Sequence, residues 1–202
     1  MTAAVLVVAA FFSGALPFSV WVWRLALGKD IRDYSDGNPG ATNVLRAGGV
    51  KWGALALLLD FVKGALPVWI ARVTLGLEGW PLLAVALAPV LGHAFSPFLR
   101  FRGGKAVAVT GGVWCGLTIW EVPTIGGLLL GFWFAFINES GWAVMLTALS
   151  VLAYLLLAWR DPLLLAAWSG NAAIVAWKHR AELPQPPTLR AWYRNLALPW
   201  HS

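Results

Sequence analysis

Long apolar runs alternate with short polar intervals along this chain. That alternation predicts membrane-spanning helices, because a span needs ~20 mostly apolar residues. The first run extends from about Ala3 to Leu27 and is followed by the longest polar interval, Asp30 to Arg46. Next come Trp52 to Val73, which carries Asp60 and Lys63, and Leu77 to Leu99, interrupted by Pro89 and Gly92-His93. A short loop, Arg100 to Lys105, leads into Ala106 to Trp120. Glu121 and Pro123 mark a turn before Thr124 to Ile137, and Asn138-Glu139 separates that run from Trp142 to Trp159. Arg160-Asp161-Pro162 then precedes Leu163 to Trp177. The expected fold is all-α: a single polytopic membrane domain over residues 1–202, about seven transmembrane helices, and a polar, Pro-rich tail from about residue 178.

Composition supports this reading. Hydrophobic residues make up 59% of the chain and charged residues 12%, with a mean hydropathy of +0.71. A soluble domain carries about 25% charged residues, so too little polar surface exists here to cover a water-exposed globule. The net charge of +6 is accordingly read as membrane topology, not as a nucleic-acid footprint. Lys and Arg segregate sharply: Arg24, Lys29, Arg32, Arg46, Lys51, Arg100, Arg102, Lys105, Lys178, Arg180, Arg190 and Arg194 fall in loops on one side, against Arg72 and Arg160 on the other. The rich side is expected to be cytoplasmic, with the N-terminus outside and the C-terminus inside. No basic residue precedes Arg24, whereas a secretory signal carries charge ahead of a shorter apolar core, so the first run is read as a span. Trp21, Trp23, Trp52, Trp80, Trp120, Trp142, Trp159 and Trp177 sit near predicted span ends, as an interfacial belt requires. Cys115 is the only cysteine, which excludes an intramolecular disulfide and a Cys-based metal cluster.

Polar chemistry gathers in three intervals on the basic side. In Asp30 to Arg46, Gly37, Gly40 and the Asn residues permit close backbone approach to an anion, with Arg46 as a bidentate partner for phosphate oxygens. Gly-Asn-Pro-Gly is equally the composition of an ordinary turn. Gly103-Gly104-Lys105, at the mouth of the next helix, offers amides, a helix N-terminus and an ammonium. It is not a nucleotide P-loop, since Ala106 replaces the Ser/Thr that would hold magnesium. Lys178-His179-Arg180 follows the last span and is either a topology signal or part of a site. His93 inside an apolar run is read as a hydrogen-bonded interior group or a catalyst. Asp60 and Lys63, at i,i+3, either shape a site floor or neutralise each other. No His/carboxylate cluster is spaced to hold a metal, and no Ser-His-Asp set appears.

Together these strings resemble the bacterial acyl-phosphate:glycerol-3-phosphate acyltransferases. The resemblance rests on S-G-A-L-P-F at Ser13 to Phe18, K-D-I-R at Lys29 to Arg32 and G-N-x-G-A-T-N-V-x-R at Gly37 to Arg46. It continues through L-D-x-x-K-G-x-x-P at Leu59 to Pro67, G-H-x-F at Gly92 to Phe95, F-R-G-G-K at Phe101 to Lys105, and His179-Arg180. It implies acyl transfer from acyl-phosphate to the 1-hydroxyl of glycerol-3-phosphate in a plasma or inner membrane. The products would be lysophosphatidic acid and phosphate, a step of phospholipid biosynthesis with no acyl-enzyme, cofactor or metal. By motif match Lys105, His179 and Arg46 would be catalytic, while Asn38, Gly40, Thr42, Asn43, Gly103 and Gly104 would bind phosphate.

Several positions depart from the family pattern. Asp36 stands where the family has a pocket Ser, Glu182 where it has Asn, and Ala106 where it has Gly; of the motif after the fifth span only Ser140 aligns, beside Glu139. A carboxylate ~4 Å from a phosphate charge costs about 4 kcal/mol at an effective dielectric of 20. Either Asp36 turns away and Ser35 supplies the hydroxyl, or Asp36 meets a substrate hydroxyl or Arg46, or the pocket has changed. The alternative function is a silent or altered-substrate paralogue that binds anionic lipid or a partner.

Overall fold

The computed structural model describes residues 2–191; Arg194 of the charge count lies outside them. Within these residues the chain forms helices α1 (Ala3–Ala15), α2 (Phe18–Leu27), α3 (Ala41–Trp69), α4 (Gly79–Ala94), α5 (Val107–Thr118), α6 (Glu121–Phe136), α7 (Ser140–Tyr154) and α8 (Pro162–His179). Single π-turns extend α3 through Thr74 and α7 through Trp159. The only strand-like pairing among the described residues is an isolated bridge between Ile137 and Leu189. Four segments are long and apolar enough to cross a membrane: Ala3–Leu27, Ala41–Thr74, Gly79–Leu99 and Ser140–Trp159. Val107–Thr118 and Glu121–Phe136 are apolar but shorter.

Several boundaries differ from the sequence reading, each for a local reason. The first run is broken, because Pro17 forces Leu16 out of helical geometry (φ −57°, ψ 123°). Ala15 and Leu16, at the broken end of α1, hold carbonyls that helix geometry leaves without partners. Ser96 Oγ donates to Ala15 O at 2.6 Å, and Lys63 Nζ donates to Leu16 O at 2.7 Å. The polar interval ends sooner than expected, since Ala41 to Arg46 already forms the first turns of α3. Gly49, at φ 74°, redirects that helix after its second turn, a conformation that costs little without a Cβ. Pro89 and Gly92-His93 do not interrupt α4, and Glu121 and Pro123 open α6 instead of forming a turn.

Glycines set the tightest helix contacts. A Cβ at Gly92 would overlap the carbonyl of Phe11 on α1, and one at Gly112 would overlap the carbonyl of Phe61 on α3. Small residues at crossings let helix backbones touch, which drives packing in lipid. The main core therefore runs between α1, α3, α4, α5 and α8, around Val68, Val85, Val90, Val109, Val113 and Ala167.

Candidate functional site

At one end of the bundle the loop before α3, the turn before α5, the start of α7 and the segment after α8 converge. They enclose the mouth of a cavity of about 1090 Å3. Asp36, Asn38, Gly40, Thr42, Asn43, Arg46, Gly103, Lys105, Ser140, His179 and Glu182 all line it, and deeper lining from Val107, Trp114, Leu130, Phe134, Val144 and Val151 is apolar. Both α3 and α5 begin at this mouth, and the amides of a helix's first turn have no partner within the helix. The mouth thus combines helix N-terminal amides and cations with an apolar wall behind them.

Lys105 is the centre of the polar wall. Its Nζ lies 2.8 Å from Asp36 Oδ2 and 2.6 Å from Glu182 Oε1. Asp36 is fixed from behind: Oδ1 accepts from Asn43 Nδ2 at 2.7 Å and from the Asn38 amide at 3.1 Å. Asn43 Nδ2 also reaches the carbonyl of Asn38 at 3.0 Å, which makes this buried side chain the organiser of the Gly-Asn-Pro-Gly turn. Glu182 is fixed likewise, its Oε2 accepting from Ser140 Oγ and from the Gly141 amide, both at 2.7 Å. It supplies a carboxylate to the N-terminus of α7 from outside that helix. Burial raises the Asp36 carboxyl, but the Lys105 and Asn43 hydrogen bonds outweigh it and hold it at about 2. Burial opposes charge on Lys105 and Glu182 as well, yet Asp36 and Glu182 together raise the lysine, and Lys105 with Ser140 lowers the glutamate.

These contacts resolve the question raised by Asp36. It neither turns away nor pairs with Arg46; it faces the cavity and binds Lys105. Ser35 is exposed at φ 55° and does not line the cavity. Arg46 lines it without an ion pair among the described residues. Buried His179 places Nδ1 2.8 Å from the Val175 carbonyl, which selects the Nδ1–H tautomer and leaves Nε2 as an acceptor. Ala106 adopts φ 65° where the resembled family has glycine, so that turn is left-handed.

Gly104 packs on the His93 imidazole, leaving no room for a Cβ, and its amide donates to the His93 carbonyl at 3.2 Å. His93 Nδ1 in turn lies 3.9 Å from Asp60 Oδ1, and Asp60 pairs with Lys63 at 2.6 Å and accepts from Ser19 Oγ at 2.8 Å. Asp60 and His93 reach the cavity wall whereas Lys63 does not, so Asp60 is neutralised by Lys63 from behind while it lines the cavity. Lys178, which the sequence left open as a topology signal or part of a site, acts as a positioning group. Its Nζ donates to the carbonyls of Gly103 at 2.8 Å and Ala94 at 3.0 Å, clamping the Gly-Gly-Lys turn to α8. Its place between a span end and His179 was visible, but its target was not. Among the described residues no cluster of His, Cys, Asp and Glu is arranged to hold a metal ion.

The comparisons with known proteins agree with this geometry. The family model described as glycerol-3-phosphate acyltransferase matches residues 4–185. The glycerol-3-phosphate acyltransferase 1 of Thermotoga maritima is 38% identical over 189 residues, covering 86% of this chain and 92% of that protein. That of Rubrobacter xylanophilus is 40% identical over 184 residues, covering 89% of each. The crystal structure of PlsY (YgiH), an integral membrane glycerol 3-phosphate acyltransferase, in its glycerol 3-phosphate form superposes with a TM-score of 0.82 at 33% identity, over 90% of both chains. Its lysophosphatidic acid form gives 0.79 at 32% identity over the same share. With its matched model, its relatives and its phosphate-ready cavity mouth, the chain belongs to the glycerol-3-phosphate acyltransferase family.

Proposed function

We propose that this chain transfers a fatty acyl group from acyl-phosphate to the 1-hydroxyl of glycerol-3-phosphate, giving lysophosphatidic acid and inorganic phosphate. The observation that carries this reading is one continuous cavity with cations and helix N-termini at its mouth and an apolar shaft behind them. The acyl chain lies in the shaft, and both phosphates sit at the mouth within reach of Arg46, Lys105 and the first-turn amides of α3 and α5. The acceptor oxygen attacks the acyl carbonyl carbon, the bond from that carbon to the phosphate oxygen breaks, and phosphate leaves. Acyl-phosphate already carries a good leaving group, so positioning and charge stabilisation supply the rate. His179 Nε2 is the acceptor available for the hydroxyl proton.

The site end of the bundle faces the cytoplasm of a plasma or inner membrane, with the N-terminus outside and about seven crossings; the segregation of Lys and Arg supports this orientation. The test is phosphate release by the purified protein from acyl-phosphate, with lysophosphatidic acid followed by mass spectrometry. Release that depends on glycerol-3-phosphate is expected. Neither product appearing, while an active relative works in parallel, overturns the reading. The neutralised Lys105 favours one second reading, an anionic-lipid binder without turnover, and retained lipid binding in that same failed assay is its signature.

A further inference from the structure

Asp36 and Glu182, two departures from the resembled pattern, meet on a single atom. They come from opposite ends of the sequence, and both contact Lys105 Nζ, at 2.8 and 2.6 Å. Each carboxylate divides its oxygens in the same way. One oxygen is held by the framework, Asp36 Oδ1 by Asn43 and the Asn38 amide, Glu182 Oε2 by Ser140 and the Gly141 amide. The other is committed to the ammonium. An ammonium has three donors, so two are already taken by anions, and a phosphate approaching Lys105 meets two negative charges at contact range. Arg46, on the same wall, has no ion pair among the described residues and is open to phosphate from the start.

We propose that Asp36 and Glu182 form a carboxylate latch on Lys105 that competes with substrate phosphate, setting phosphate affinity and tying the α3 loop, the Gly-Gly-Lys turn and the segment after α8 together across the cavity mouth. Phosphate docks on Arg46 and the α3 amides, then displaces the carboxylates from the ammonium. Framework bonds to Asn43 and Ser140 keep both carboxylates close by, so the latch closes again when phosphate leaves. The inference rests on the acyltransferase reading only for the identity of the phosphate carrier.

Binding of inorganic phosphate and of glycerol-3-phosphate to the full chain in detergent, measured by calorimetry, tests the latch without turnover. Asp36→Asn and Glu182→Gln keep the hydrogen-bonding shape and remove one charge each. Each variant is expected to lower the dissociation constant, by about tenfold at low salt, and the gain shrinks as salt screens the repulsion. KM for glycerol-3-phosphate falls in parallel. Unchanged or weaker phosphate binding in the variants overturns the latch and makes the carboxylates positioning groups that orient Lys105. Should one variant fail to fold, the other carries the same comparison. Tightened phosphate binding with no turnover in any protein upholds the latch while overturning the acyltransferase reading.

Discussion

Lys105 gathers two carboxylates of the candidate site at one nitrogen, and these neighbours define what substitution there does. Lys105→Ala removes the mouth's central cation and leaves Asp36 and Glu182 facing the substrate phosphate together. Acyl transfer is expected to fall by at least about a hundredfold, measured as lysophosphatidic acid formed; full activity in the variant removes Lys105 from the site. The cluster also makes a definite statement about pH. Asp36 is held at about 2, below its ordinary value, so its stabilising contribution is present above the normal carboxylate range and is lost only as pH falls through about 2. Lys105 is raised, so its contribution is complete below the ordinary lysine value and is lost only as pH rises beyond it. The three groups therefore stay charged from about pH 5 to 9. Thermal-unfolding midpoints of wild type and Asp36→Asn, plotted against pH across that window, should run parallel; converging curves would show that the pair titrates there. Gly104 is a second residue-scale test. Its missing side chain is what lets the turn rest on His93, so Gly104→Ala displaces Lys105 and raises KM for glycerol-3-phosphate severalfold, while a wild-type KM would disprove that contact's role.

At the scale of elements, the broken first span depends on α3. Lys63 satisfies the carbonyl end of α1, Ser19 on α2 donates to Asp60, and Asp60 pairs with Lys63, all buried. Lys63→Met leaves Asp60 buried without its counter-ion and uncaps Leu16, and such losses cost about 3–5 kcal/mol. The double variant Asp60→Leu/Lys63→Met, which strands no charge, should recover much of the lost thermal stability in detergent; a double variant less stable than Lys63→Met would refute the pairing. Helices as apolar runs were legible because lipid demands a stretch of apolar side chains. Their ends were not, because Ala41 to Arg46 looks polar while its hydrogen bonding is already helical. Pro17 breaks a helix where Pro89 does not, and at the break the Leu16 carbonyl is taken up by Lys63. At the site, motif spacing brought Arg46, Asn43, Lys105 and His179 to one mouth. It did not disclose that Asp36 and Glu182 would share Lys105, because that contact spans 69 residues on one side and depends on where the chain turns after α8 on the other.

The whole molecule is polarised along its length. All the interactions of the candidate site lie at the end where α3, α5 and α7 begin and α4 and α8 finish, and Lys and Arg crowd the loops of that same end. At the far end Glu121, opening α6, accepts from Tyr154 and Trp159, an aromatic–carboxylate grouping suited to the membrane interface. The cytoplasmic site end proposed above is what the charge bias supports, and it has a supply-side logic, since an acyl-phosphate and a polyol phosphate are charged metabolites that do not cross lipid unaided. Single cysteines decide it. Lys29 and Arg160 are exposed at opposite ends of this polarity, and Cys115 is buried, so the background reaction is low. In intact cells a membrane-impermeant maleimide should label Arg160→Cys and spare Lys29→Cys until the membrane is opened. The reverse pattern would put the phosphate mouth outside the cell, on the side where neither charged substrate is made, and the orientation would have to be abandoned together with the acyl-donor assignment that depends on it.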